Sequence, residues 1–211
     1  MKTTLLTSVL SIAALALPLA ASAESSVQTG TSTSSPGATA HVDFSIVIPK
    51  ILYLRVGTGS SYTSGALTAN TAVDLITFSP TAAQLGNGTA IAGTGGDLTG
   101  GVETAAVVSN SGNVTLNATA SGALSDGAGD SISYAQISTA ASTLTSATAL
   151  PAPVLTNTTS ANVILTAPAS KVIVQDAKWT YTYANSATVA AGTYGGVNVN
   201  NGRIVYTATM P

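Results

Sequence analysis

Two runs near the C-terminus, 178–185 and 202–211, alternate strictly, which is the signature of a strand with two unlike faces. Thr180 and Thr182 separate Trp179, Tyr181 and Tyr183, and Val205 and Thr207 separate Ile204, Tyr206 and Ala208. A side-chain period of two places each set on one face of an extended backbone. The tail holds the only tryptophan and, with Tyr194, four of the seven tyrosines. No run of ten residues elsewhere keeps a 3.6-residue period. Short apolar stretches between turn residues therefore predict an all-β chain, a sandwich or barrel of about nine or ten strands.

The remaining strands follow the same logic. Residues 41–48 place Val42, Phe44, Ile46 and Ile48 on one face, and Pro49 interrupts the ladder before a second strand at 51–56. A third is expected at 71–79. Residues 103–110 and 113–121 flank Ser111-Gly112, which reads as a hairpin. The glycine-rich stretch 80–101 contains Asn87-Gly88, a preferred turn pair. Residues 139–150 are rich in Ala, Ser and Thr and suit a weak helical turn. Further strands are expected at 132–137, 161–167 and 171–174. A turn at Asn201-Gly202, with Gly202 in the positive-φ region, would set Val199 opposite Ile204 and Val197 opposite Tyr206.

The N-terminus reads as an export signal. Met1-Lys2 is followed by an apolar stretch too short to span a membrane, and Ala21-Ser22-Ala23 fits a signal-peptidase site. Residues 1–23 are thus expected to be a signal peptide, 24–40 a flexible polar leader, and 41–211 a single β-domain. No later apolar stretch is long enough for a transmembrane helix. The destination is the periplasm, the cell surface or the medium. The chain has no cysteine, so disulfides and an N-terminal lipid anchor are excluded although export would permit them. Beyond Lys2 there are five dispersed basic residues (Lys50, Arg55, Lys171, Lys178, Arg203) against eight acidic ones. That leaves no positive footprint for nucleic acid.

Residues that could carry chemistry are few. His41 is the lone histidine, without the partners of a triad or a zinc site. Most carboxylates sit in turns, where Asp ordinarily caps its own backbone. The alternative for Asp126 and Asp130 is a calcium ion held with nearby carbonyls. The stretch 93–101 has the glycines of a phosphate-binding loop but neither the following helix nor the Gly-Lys-Ser/Thr signature. Asn87, Asn113, Asn117 and Asn157 fit the N-glycan pattern, which is frequent by chance here and is read as bare. No catalytic residue, cofactor or metal is expected, and the chain reads as a non-enzyme. Trp179, Tyr181 and Tyr183 are either the core of a sandwich or, alternatively, a strip on which a carbohydrate or other ligand stacks.

The series Trp179 to Tyr183, Ala191-Gly-Thr-Tyr194 and Val205 to Pro211 resembles the closing hairpin of secreted bacterial immunoglobulin-like surface proteins. These include WxL-type cell-wall-binding proteins and fimbrial or spore-coat-U-like subunits. It differs in having Trp-Thr-Tyr where the WxL type has Trp-x-Leu, and it lacks the cysteine pair usual in chaperone–usher pilins. The resemblance implies an immunoglobulin-like antiparallel β-sandwich with a structural or adhesive role. Its partners would be itself, in a homopolymer, other surface proteins and a periplasmic chaperone. In such pilins a neighbour's N-terminal extension supplies a missing strand. Val42, Phe44, Ile46 and Ile48 form an apolar row suited to that donor role; the alternative is that they are this domain's own first strand.

Overall fold

The computed structural model describes residues 24–34, 37–57, 67 and 69–211. The expected signal peptide lies outside the described residues. The chain divides into two units, Met1–Ile48 and Pro49–Pro211.

The described part of the first unit has neither strand nor helix. Residues 31–34 form a turn closed by Ser34 N–H to Thr31 O at 3.0 Å. The Glu24 carboxylate accepts from His41 N–H at 3.1 Å and lies 2.9 Å from His41 Nδ1. The strand expected at 41–48 is absent: these residues pair with no strand, and all of their side chains are exposed.

The second unit is nearly all β. Its strands are β1 Leu52–Val56, β2 Ile76–Thr77, β3 Ile91–Ala92, β4 Thr94–Gly95, β5 Val102–Ser109, β6 Val114–Ala120, β7 Leu124–Ser125, β8 Ser131–Ile132, β9 Ile137–Ser142, β10 Val163–Leu165, β11 Ile173–Tyr183 and β12 Ile204–Thr209. Among the described residues, the one 3-10 turn covers Tyr134–Gln136, inside the stretch 132–137 expected as a short strand. Among the described residues, no helix is long and apolar enough to cross a membrane.

The longest strand organises the larger sheet. Eleven-residue β11 pairs antiparallel with β5 through Ile173 to Thr180, and β3 continues that edge at Thr182 and Tyr183. Its other edge pairs with β9 from Lys178 to Tyr183. The order is β1-β5-β11-β3, with β9 across β11. A second sheet runs β10-β6-β12. All the ladders are antiparallel.

The sheets meet through rows set by the two-residue period. Val114, Leu116, Ala118 and Ala120 of β6 are buried while the residues between them are only half-buried. From the first sheet come Ala105, Val107, Ala177, Trp179 and Tyr181. Trp179 and Tyr206 approach to 5.2 Å between ring centroids. The indole Nε1 donates to Leu150 O at 2.8 Å, so burial strands no polar atom.

Several local expectations are corrected. β5 and β6 are not a hairpin, for each joins a different sheet and the turn at Ser111-Gly112 crosses between them. The tail is likewise not one closing hairpin, because β12 pairs with β6 in register Ile204↔Ala120. Residues 197–202 form a turn in which Asn198, Asn200 and Asn201 have φ of 56°, 50° and 58°, which breaks any ladder there. Val197 and Val199 are accordingly exposed. Gly202 matters through crowding rather than positive φ: a Cβ on it would run into the backbone N and O of Gly196. The strand expected at 71–79 shrinks to β2. Residues 139–142, the start of the stretch expected as a helical turn, are instead the end of β9, since β11 offers them an open edge.

Candidate functional site

Two sheet edges draw together at one side of the second unit. Among the described residues, β1 pairs with β5 alone and β12 with β6 alone. Their ends are tied: Lys50 Nζ donates to Pro211 O at 3.0 Å, and Ser109, opposite Leu52, places its Oγ 3.5 Å from Met210 Sδ. The inward row of β1 is Leu52, Leu54 and Val56, and that of β12 and its end is Ile204, Tyr206, Ala208 and Met210. Every one of these side chains packs on the core yet remains half-buried, whereas the matching row of β6 is fully buried. Among the described residues, β1 and β12 thus each carry a half-buried apolar row and a ladder paired on one side only. Chemically this can accept an extended segment by strand addition.

Just past the end of β1, at Gly57, the surroundings become polar. Glu103, 5 % exposed, lies on the core face of β5 in register with Trp179. Its carboxyl hydrogen-bonds Asp74 and accepts Asp97 N–H at 3.4 Å. Burial first, and then the Asp74 carboxylate beside it, pushes Glu103 up to about 8. Gly57, at φ 78°, makes room for the pair: a Cβ there would lie 2.6 Å from Glu103 Oε2 and 2.7 Å from Asp74 Oδ2. Asp97 is held by Thr104, whose N–H donates at 2.8 Å and whose hydroxyl also bonds it. Arg55 donates to Gly57 O at 3.1 Å and Thr104 Oγ1 at 2.9 Å, and forms an ion pair with Asp97 at 3.4 Å. Nearby, the Tyr181 and Tyr206 hydroxyls share a hydrogen bond of 2.9 Å. Burial raises both tyrosines, Tyr206 to about 12.

The other sequence-derived candidates fall elsewhere. Trp179 is 0 % exposed, and Tyr181 and Tyr183 are buried beside it. That leaves no open ring face for a stacked ligand, so the strip expected as an alternative is a core row. Val42, Phe44, Ile46 and Ile48 lie in the first unit, with Phe44 88 % exposed. Asp126 caps its own turn: Oδ1 accepts the N–H groups of Ala128 at 2.8 Å, Gly129 at 3.1 Å and Asp130 at 3.0 Å. The Ala128 bond, with help from the other two, holds this carboxyl below its ordinary range. Among the described residues, no group of three or more His, Cys, Asp or Glu is arranged to hold a metal ion.

Sequence reasoning did not find the Asp74–Glu103 pair, and its parts are far apart in the chain. One signal was present. In the stretch 74–78, Asp74 shares a face with Ile76 and Phe78, and that face is the inward one. An acid in an apolar row asks for a buried partner. Asn185 was missed too. Buried at φ 51°, it accepts Gly86 N–H at 3.0 Å and donates to Gln84 O at 2.6 Å and Thr89 O at 3.3 Å. Comparison of the chain with protein-family models, curated proteins and solved structures returns no match.

Proposed function

We propose that this chain is an exported, non-enzymatic structural or adhesive protein of a bacterial surface. Copies assemble when residues 42–48 of one add a strand to the open edge of β12, beside β1, in another. On this reading the two sheets form an immunoglobulin-like sandwich with one strand position left open, and residues 1–23 direct export.

The observation that carries the reading is the pairing of two incomplete parts. Val42, Phe44, Ile46 and Ile48 alternate like a strand but are 72 %, 88 %, 85 % and 75 % exposed. In the other unit, the inward rows of β1 and β12 are only half-covered. Full burial of one such side chain is worth about 1.5–3 kcal/mol, while ordering one residue costs about 1–2 kcal/mol. The burial gain alone is thus nearly cancelled, and ladder hydrogen bonds from a sheet edge decide the outcome. That favours an extended apolar segment that stays unpaired until an edge is offered.

Substituting Phe44→Ser together with Ile46→Ser tests the reading. Assembly, followed by light scattering of chains beginning at Glu24, should be lost while the melting temperature of the dispersed protein is unchanged. A lower melting temperature would instead make the segment part of its own domain, and unchanged assembly would remove it from the contact.

A further inference from the structure

We infer that the outer edge of β9 is a second contact between copies of this chain: two β9 strands pair antiparallel about a two-fold axis at Thr139. The inference does not rest on strand addition at β12.

The backbone of β9 alternates in what it offers. Tyr183 is opposite Ile137, and one step beyond, Ala184 N–H donates to Gln136 O at 2.7 Å. Bonded pairs recur at every second residue of an antiparallel ladder, so Ser138, Ala140 and Ser142 point their N–H and C=O groups at β11. Tyr181, opposite Thr139, agrees: its N–H donates to Gly101 O at 2.9 Å and its carbonyl accepts Gly93 N–H at 3.4 Å, away from β9. Ile137, Thr139 and Ala141 therefore turn their backbone groups outward. The Ile137 N–H is given to Tyr134 O. Among the described residues, Thr139 and Ala141 have no backbone partner on that side.

An open strand edge is ordinarily guarded by a lysine, a proline or a bulge. This one carries none: β9 reads Ile-Ser-Thr-Ala-Ala-Ser, and its register with β11 is unbroken. No charged residue occurs between Asp130 and Lys171, so two such edges meet without repulsion from that stretch.

The edge also fits itself. A two-fold axis at Thr139 sets Thr139 opposite Thr139 of the second copy, and Ala141 opposite its Ile137. The Thr139 pair exchanges two hydrogen bonds, and each Ala141 N–H reaches the Ile137 C=O of the other copy. The inward faces stay on one side, so two five-stranded sheets become one. Thr139 Oγ1 is buried with no hydrogen-bond partner among the described residues. The residue as a whole is half-buried, and one staggered step about χ1 carries its hydroxyl to the edge. There the same hydroxyl of the second copy is its partner, a stabilising cross-strand pair. A second β9 meets all of these requirements in one register. Six residues make an edge only about 20 Å long, so the pair is weak and dissociates on dilution.

Because the chain has no cysteine, introduced cysteines report the register. The axis sets Ser138 opposite Ala140 of the second copy in a non-bonded pair, with Cα atoms about 4.5 Å apart, within reach of a disulfide. Two Ser138 positions, or two Ala140 positions, are diagonal and about 7–8 Å apart, beyond that reach. Both residues are exposed, so neither substitution enters the core. Chains beginning at Glu24 carry Phe44→Ser and Ile46→Ser, which keep the N-terminal segment out of the contact, and either Ser138→Cys or Ala140→Cys. They are oxidised with diamide in concentrated solution. The mixture should form covalent dimer roughly tenfold faster than either variant alone. Equal rates in all three samples, or no covalent dimer in any, overturn the symmetric pair. A further mixture, Ser138→Cys with Ser45→Cys in chains that keep Phe44 and Ile46, reports the rival occupant. If it cross-links faster than 138 with 140, the edge receives residues 42–48 and the symmetric pair falls.

Discussion

The indole ring of Trp179 and the phenol ring of Tyr206 lie 5.2 Å apart and tilted by 47°, one from each sheet. This contact joins the two alternating runs of the tail across the core. It also explains why the runs look alike in sequence: each is the inward row of a strand, in facing sheets.

Trp179→Ala should therefore be among the most damaging single changes. It empties the largest fully buried site and orphans Leu150 O. A loss of about 3–5 kcal/mol is expected in urea unfolding followed by circular dichroism. Tyr206→Phe should cost only about 1 kcal/mol, because it removes one hydroxyl of the Tyr181–Tyr206 bond and keeps the ring.

Asn185 and Gly202 test the turn chemistry. Asn185→Ala leaves Gly86 N–H, Gln84 O and Thr89 O without their side-chain partner and should cost about 1–3 kcal/mol. Gly202→Val forces the backbone of residue 202 away from Gly196 and should cost about 1–3 kcal/mol or more. Arg203→Ala, beside it, should stay within about 0.5 kcal/mol. Equal effects at 202 and 203 would show that the close approach is not required.

Stability should decline on both sides of an acidic-to-neutral optimum. Glu103 is raised in the folded state, so its contribution is full below its unfolded value of 4.5 and is lost as pH rises through about 8. Asp176 behaves oppositely. Burial alone would raise it, but the Thr145 hydroxyl and the Thr145 and Ser146 N–H groups outweigh burial and hold it below its ordinary value. Its contribution is present above 3.8 and is lost as pH falls through the lower folded value. Denaturation midpoints measured from pH 3 to 9 should show both limbs, with Glu103→Gln flattening the alkaline limb and Asp176→Asn the acid one.

The sequence made the strands legible where one face is buried and the other is not, as at β6 and β11. It misled where pairing partners had to be chosen. β5 and β6 are separated by a turn short enough for a hairpin, yet each has a longer or better-matched partner elsewhere, which only the assembled sheets reveal. The Asn-rich stretch 198–201 contained its own warning, since Asn tolerates positive φ and three of these residues adopt it. The carboxyl pair was hidden for another reason: Asp74 and Glu103 are brought together by β1, β2 and β5, with no local motif to mark them. In the apolar row at 42–48 the alternation is plain, but a row of this kind does not name the sheet that receives it.

Whether residues 42–48 add to a neighbour's sheet is tested most directly by the sedimentation of chains beginning at Glu24 beside chains beginning at Pro49. The longer chain should form assemblies that grow with concentration. The shorter should be a folded monomer that binds a peptide of residues 41–48. A shorter chain that is unfolded, or two chains that are both monomeric at every concentration, would contradict strand addition.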